Sequence, residues 1–122
     1  KSNDEINDPL SKNNLDKTLD LVNEFRLSSP RKSIWLYTGY AFEDVMEYQS
    51  QFEERGILDI ELPEGCRMWI REQIISQCTV LVDGRYIDSQ QDITLPYRGS
   101  KNQRLIDIQR SLQKGEIVLW QV

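Results

Sequence analysis

Two short polar runs follow apolar ones in this chain: Thr38-Gly39-Tyr40 closes "SIWLYTGY" (Ser33 to Tyr40), and Asp83-Gly84-Arg85 closes "TVLVDGR" (Thr79 to Arg85). Thr38 brings a hydroxyl, Asp83 a carboxylate acceptor and Arg85 a planar cationic donor, a set suited to a zwitterionic or polar small molecule. Spacing alone leaves a second reading open, in which Gly39 and Gly84 relieve tight turns while Thr38 and Asp83 cap the elements after them. A third run, "RGSKNQR", gathers Arg98, Ser100, Asn102, Gln103 and Arg104 around Gly99, where the backbone can approach a partner closely. It reads either as an anion- or partner-binding loop or as a solvated turn bonded to its own backbone.

Other chemistry is excluded by residue type. The chain has no histidine and two cysteines, Cys66 and Cys78, which removes zinc-finger sets, Ser-His and Cys-His pairs and any four-cysteine cluster from one chain. No metal ligand set and no catalytic residue is assigned. With so few cysteines, two free thiols are expected rather than a disulfide.

The elements that must position these runs are read from periodicity. After a polar N-terminal loop over residues 1–13, with the turn signal Asp8-Pro9, Asn14 is the predicted N-cap of a helix whose apolar face is Leu15, Leu19, Val22 and Phe25. "SIWLY" and "TVLV" read as buried strands, and helices are predicted from Phe42 to about Glu54 and from about Arg67 to Gln77. Residues Arg55 to Gly65 read as a loop or small excursion. "EIVLW" reads as a strand, while "RLIDI" (Arg104 to Ile108) fits strand or helix equally. Trp35, Trp69 and Trp120 each lie in an apolar segment and are expected in the core. Two strand-to-glycine units separated by helices predict an α/β fold with parallel strands and crossover helices. Ligands then gather beyond the carboxyl ends of the strands, so Thr38, Asp83 and Arg85 are expected on one rim.

At 122 residues the chain suits one domain, taken as residues 1–122 with a C-terminal tail from residue 95 that holds the basic loop. The net charge of −5 is uneven: from Arg98 onward five basic residues face two acidic ones, a net +3, leaving −8 on the first 97. General nucleic-acid binding is excluded, because most of the surface would repel phosphate. No apolar run reaches the roughly 18–20 residues that span a bilayer. The expectation is a cytoplasmic protein that binds neither membrane nor nucleic acid.

"KSIWLYTGYAFEDV", "TVLVDGRYI", "LPYRGSKNQRLIDIQRSL" and "GEIVLW", in this order, resemble the C-terminal half of the activating proteins of anaerobic ribonucleoside-triphosphate reductases, which are radical S-adenosylmethionine (SAM) enzymes. The resemblance covers about Lys32 to the end. It implies a partial parallel (β/α) barrel-like sheet, here truncated. It also implies that the parent enzyme uses SAM and a 4Fe-4S cluster, held by a CxxxCxxC loop, to generate a glycyl radical on the reductase large subunit. This chain lacks the cysteine loop, so no cofactor is expected on it alone and by itself it is expected to be inactive. "INDPL" stands where the family has Gly-Gly-Asp-Pro near the SAM amino group, and only Asp8-Pro9 matches. By the same resemblance Asp8, Thr38, Asp83 and Arg85 face SAM, with Arg85 meeting its carboxylate. The expected partner is the reductase large subunit, and an exposed sheet edge invites self-association. The alternative reading is a cluster-free interaction module that docks on a reductase-like partner through the Arg98 to Arg104 loop.

Overall fold

The computed structural model describes residues 7–45 and 63–121, without the side chains of residues 63–66 and 68. Helix α1 (Leu15–Ser28) turns Leu15 and Val22 inward, at 2% and 5% exposure, as the apolar spacing requires. Phe25, expected on that face, is half-exposed instead. Asn14 occupies the N-cap position but does not cap through its side chain. Its amide donates to the Asp8 carbonyl at 2.9 Å and to Ser11 Oγ at 3.0 Å, tying the helix to the segment before it. That segment is not a bare polar loop, since Leu10 is wholly buried.

Helix α2 (Pro63–Ile75) packs against α1 and buries Ile74 and Ile75. Trp69 of α2 is 37% exposed, which corrects its expected core placement. Helical residues 42–45 open the segment predicted as a second helix; its continuation, and the Arg55 to Gly65 excursion up to residue 62, lie outside the described residues.

Three strands form one sheet in the order β1 (Trp35–Tyr37), β2 (Val80–Asp83), β3 (Arg104–Asp107). β1 and β2 run parallel, with Leu36 opposite Leu81, and the connection between them contains α2. β3 runs antiparallel to β2, which differs from an all-parallel expectation. The reason is the connection: residues 84–103 hold one short 3-10 turn (Asp88–Gln90) and no crossover helix, so the chain doubles back. β2 lies in the middle and is buried throughout, as its unbroken apolar run suggests.

"RLIDI" resolves as strand and then helix without a connecting loop. Asp107 ends β3 and accepts from Arg110 N at 3.2 Å as the side-chain cap of α3 (Ile108–Lys114). Gly115 closes α3 at φ 71°, a left-handed position that favours glycine. "EIVLW" does not form a full strand but touches β3 as one antiparallel bridge, Ile106 to Leu119, flanked by Trp120 N to Leu105 O at 2.8 Å.

The main core lies between the helices and one sheet face, where Leu36, Leu81 and Ile106 meet Leu15, Ile74 and Ile108. The opposite face has a thinner cover. Val80, Val82 and Leu105 lie there beneath Trp35 and Trp120, whose rings meet edge-on at 5.7 Å, and Tyr97 rests on Trp35 at 4.9 Å. Among the described residues no helix is long and apolar enough to cross a membrane.

Candidate functional site

β1 and β2, being parallel, end on the same side, and Thr38 N donates to Val82 O at 3.0 Å where they do. A solvent-open cavity of about 200 Å³ lies there. Asp8, Tyr37, Thr38, Gly39, Gly84 and Arg85 are among the residues that line it. Asp8 reaches it from the segment before α1, which sequence distance alone did not reveal. Its Oδ1 accepts from Thr38 Oγ1 at 2.8 Å and Leu10 N at 3.0 Å, and its Oδ2 accepts from Gly39 N at 2.7 Å. A carboxylate oxygen has two lone pairs, so Oδ1 is saturated and Oδ2 keeps one acceptor position.

Thr38 is buried at 6% exposure; besides donating to Asp8 it accepts from Tyr40 N at 3.2 Å. It therefore holds Asp8 and the turn, and offers the cavity little of its own. Arg85 is exposed on the rim, and among the described residues none accepts from its guanidinium. One acceptor and one free cation thus face the same small space.

Asp83 does not join them. Its side chain, at 1% exposure, accepts Phe42 N at 2.8 Å and a bidentate grip from Arg104: Nε to Oδ1 at 3.0 Å and Nη2 to Oδ2 at 2.5 Å. Arg104 also grips Glu43, with Nη1 to Oε2 at 3.0 Å and Nη2 to Oε1 at 2.5 Å. Hydrogen bonds from Arg104 hold the Glu43 carboxyl below its ordinary range, and those to both carboxylates raise the guanidinium's affinity for its proton. The pair fixes the start of helical residues 42–45 to the ends of β2 and β3.

The Arg98 to Arg104 loop spends most of its donors internally. Gln103 accepts from Gly99 N and Ser100 N at 2.9 and 3.1 Å through Oε1, and donates through Nε2 to Gly84 O at 3.0 Å. Asn102 donates to Arg85 O at 2.7 Å and accepts from the wholly buried Ser100 at 2.6 Å. Arg98 donates to Gln103 O at 3.0 Å. The loop braces the Gly84-Arg85 turn, where Gly84 sits at φ 95°. Sequence reasoning also missed Arg71, which is buried, donates to Leu10 O at 2.8 Å and lies 4.7 Å from the centre of the Tyr40 ring.

Cys78 is wholly buried; its thiol donates to Ile74 O at 3.4 Å, and burial pushes its pKa up to about 12. Such a thiol is a packing group. Among the described residues no group of three or more Cys, Asp, Glu or His could hold a metal ion. The Cys66 side chain is outside the described part of the chain.

Comparison with known proteins supplies a framework for this geometry. Residues 7–106 match the model of the 4Fe-4S single cluster domain family. The anaerobic ribonucleoside-triphosphate reductase-activating protein of Escherichia coli K12 is 30% identical over 96 residues, covering 79% of this chain and 48% of the relative. The protein of the same name from Vibrio cholerae is 31% identical with the same coverage, and that of Enterobacteria phage T4 is 30% identical over 98 residues, covering 80% of this chain and 47% of the relative. The chain spans about half the length of these relatives. No solved structure matches.

Proposed function

Because the chain belongs to the 4Fe-4S single cluster domain family, we propose that it works in the activation of an anaerobic ribonucleoside-triphosphate reductase, as the part of a radical SAM activating protein that receives SAM. The reaction class in this reading is generation of a glycyl radical on the reductase large subunit.

The cluster itself does not fit the residues present. A 4Fe-4S centre needs thiolate ligands from at least three or four cysteines, whereas this chain has two, one of them the inert Cys78. SAM fits better at its amino-acid end. In this chemistry bound SAM supplies the group that removes a hydrogen atom from the target glycine.

The chain's own residues have definite tasks in this reading. Arg85 meets the SAM carboxylate through its planar fork. The remaining acceptor position on Asp8 Oδ2 takes the ammonium, with Thr38 and Gly39 N holding the carboxylate in place. Asp83 and Arg104 stabilise the rim from behind without touching the ligand.

The observation that carries the reading is the pairing of Asp8 and Arg85 across one cavity at the carboxyl ends of parallel strands, in a chain similar to reductase-activating proteins. Arg85→Met in the cluster-bearing activating protein tests it by equilibrium dialysis with radiolabelled SAM. Affinity is expected to fall about tenfold or more, since a charge-assisted hydrogen bond is lost. Unchanged affinity would remove the assignment. Stability should not move, because the Arg85 side chain is exposed.

A further inference from the structure

Asp8, the acceptor at the cavity, belongs to no regular element, and the turn it bonds, Thr38-Gly39-Tyr40, lies just beyond the end of β1. Its place therefore depends on what holds those two segments together. Arg71 of α2, at 7% exposure, donates through Nε to Leu10 O at 2.8 Å and lies over the Tyr40 ring at 4.7 Å, with Nη2 a long 3.5 Å from the Tyr40 hydroxyl. Both of these residues touch the Asp8 contacts. Leu10 N donates to Asp8 Oδ1 at 3.0 Å, and Tyr40 N donates at 3.2 Å to Thr38 Oγ1, the hydroxyl that itself donates to Asp8 Oδ1. One buried cation thus grips the chain on either side of the Asp8 carboxylate.

We propose that Arg71 is a positioning residue: by clamping Leu10 to Tyr40 it fixes the Asp8 carboxylate against the Thr38-Gly39 turn, so that the open acceptor position on Oδ2 stays aimed into the cavity. Its support is rigid. Arg71 stands on a helix anchored in the core by Ile74 and Ile75, whereas the two segments it joins have no ladder or helix of their own to fix them. A planar guanidinium can donate in its plane while its face rests on a ring, which an ammonium cannot do. Burying a cation is costly, so packing alone would be better served by an apolar side chain of similar length. Arg71 does not line the cavity and acts only through Asp8. The ligand end concerned is the ammonium, so the inference rests on the SAM assignment and extends it to a residue behind the site.

Two measurements on the cluster-bearing activating protein test it. The first needs no ligand: hydrogen exchange at Gly39 N, which donates to Asp8 Oδ2, is expected to quicken about tenfold in Arg71→Met, beyond any change at the central-strand amide of Leu81. An equal change at both amides, or none at Gly39, would overturn the proposal. The second is equilibrium dialysis with SAM and with the analogue that carries hydrogen in place of the α-ammonium. Arg71→Met is expected to weaken SAM about tenfold and the analogue by less than about twofold, and to have no further effect once Asp8→Asn is present. A role in stability alone would weaken both ligands alike, and that result would overturn the proposal. Should Arg71→Met fail to fold, Arg71→Lys keeps the charge and a donor but loses the planar face over Tyr40, and about a threefold loss for SAM alone is expected. Unchanged SAM affinity in Arg71→Lys would then overturn it. Arg85→Met separates the two readings: a loss there without one at Arg71 sinks the clamp alone. No loss at Arg85 sinks the SAM assignment, and Gly39 exchange still decides whether Arg71 holds Asp8.

Discussion

Replacing Arg104 with methionine is expected to cost the fold about 3 kcal/mol, almost all of it through Asp83. The Asp83 side chain is 1% exposed and holds three hydrogen bonds, two of them from Arg104. Without the guanidinium it keeps only Phe42 N, and a buried charge is left without its counter-ion. Breaking such a pair typically costs roughly 3–5 kcal/mol. Arg104 is 32% exposed, so water reaches the vacated position and the lower end applies. Glu43 is the internal control: at 54% exposure its half of the network is a surface pair, and Glu43→Gln should cost about 0.5 kcal/mol. Urea unfolding with linear extrapolation measures both, with an unchanged slope showing that the unfolded state is the same. Adding Asp83→Asn to Arg104→Met is expected to restore about 1–2 kcal/mol, because the uncompensated charge is gone. A loss below about 1 kcal/mol for Arg104→Met, or equal losses at Arg104 and Glu43, would refute the reasoning.

Single contacts set further expectations. The lowered Glu43 pKa means that its contribution is fully present above the unfolded carboxylate value of about 4.3 and is lost as pH falls through the folded value; Glu43→Gln should flatten the stability curve in that acid window. Cys78, with its pKa near 12, should alkylate with iodoacetamide at pH 8 roughly a thousandfold more slowly than a free thiol until the protein is unfolded, as read by peptide mass mapping. Asp8→Ala removes acceptors for Leu10 N, Thr38 Oγ1 and Gly39 N, and should cost about 2 kcal/mol in urea unfolding. Gly84→Ala, at φ 95°, should cost about 1–2 kcal/mol from backbone strain alone, since the nearest atoms to an added Cβ stand at 3.6 Å.

The sequence made legible those features that depend on neighbours a few residues apart. Leu15, Leu19 and Val22 announce α1, and the apolar runs at Ile34 and Val80 announce two strands whose parallel pairing is implied by the helix between them. Asp107 defeated the periodicity at "RLIDI", because one residue ends a strand and caps a helix at once. Features set by long-range contact were out of reach. Asp83 looks the same in sequence whether it faces a cavity or a cation, and its cation lies 21 residues away. Likewise Asn102 and Gln103 read as free donors until the carbonyls of Arg85 and Gly84 come within 2.7 and 3.0 Å of them.

That difference changes what a functional effect in the Arg98 to Arg104 loop means. The loop's amide side chains grip the backbone of Gly84 and Arg85, and its last arginine neutralises the carboxylate of Asp83, the residue just before Gly84. A substitution there alters the position of Arg85 before it alters any surface offered to a partner. Arg85 is the group whose charge remains open to the cavity, while the loop's two amides and Arg104 are already engaged. Under the proposed function, a loss of reductase activation on changing Gln103 or Arg104 would be accounted for by a displaced rim. A docking role for the loop would need an effect that persists when Arg85 and the fold are undisturbed. Lys101 is a side chain of that loop suited to show one, since it is exposed and holds the loop through its backbone N–H, which bonds Gln90 O.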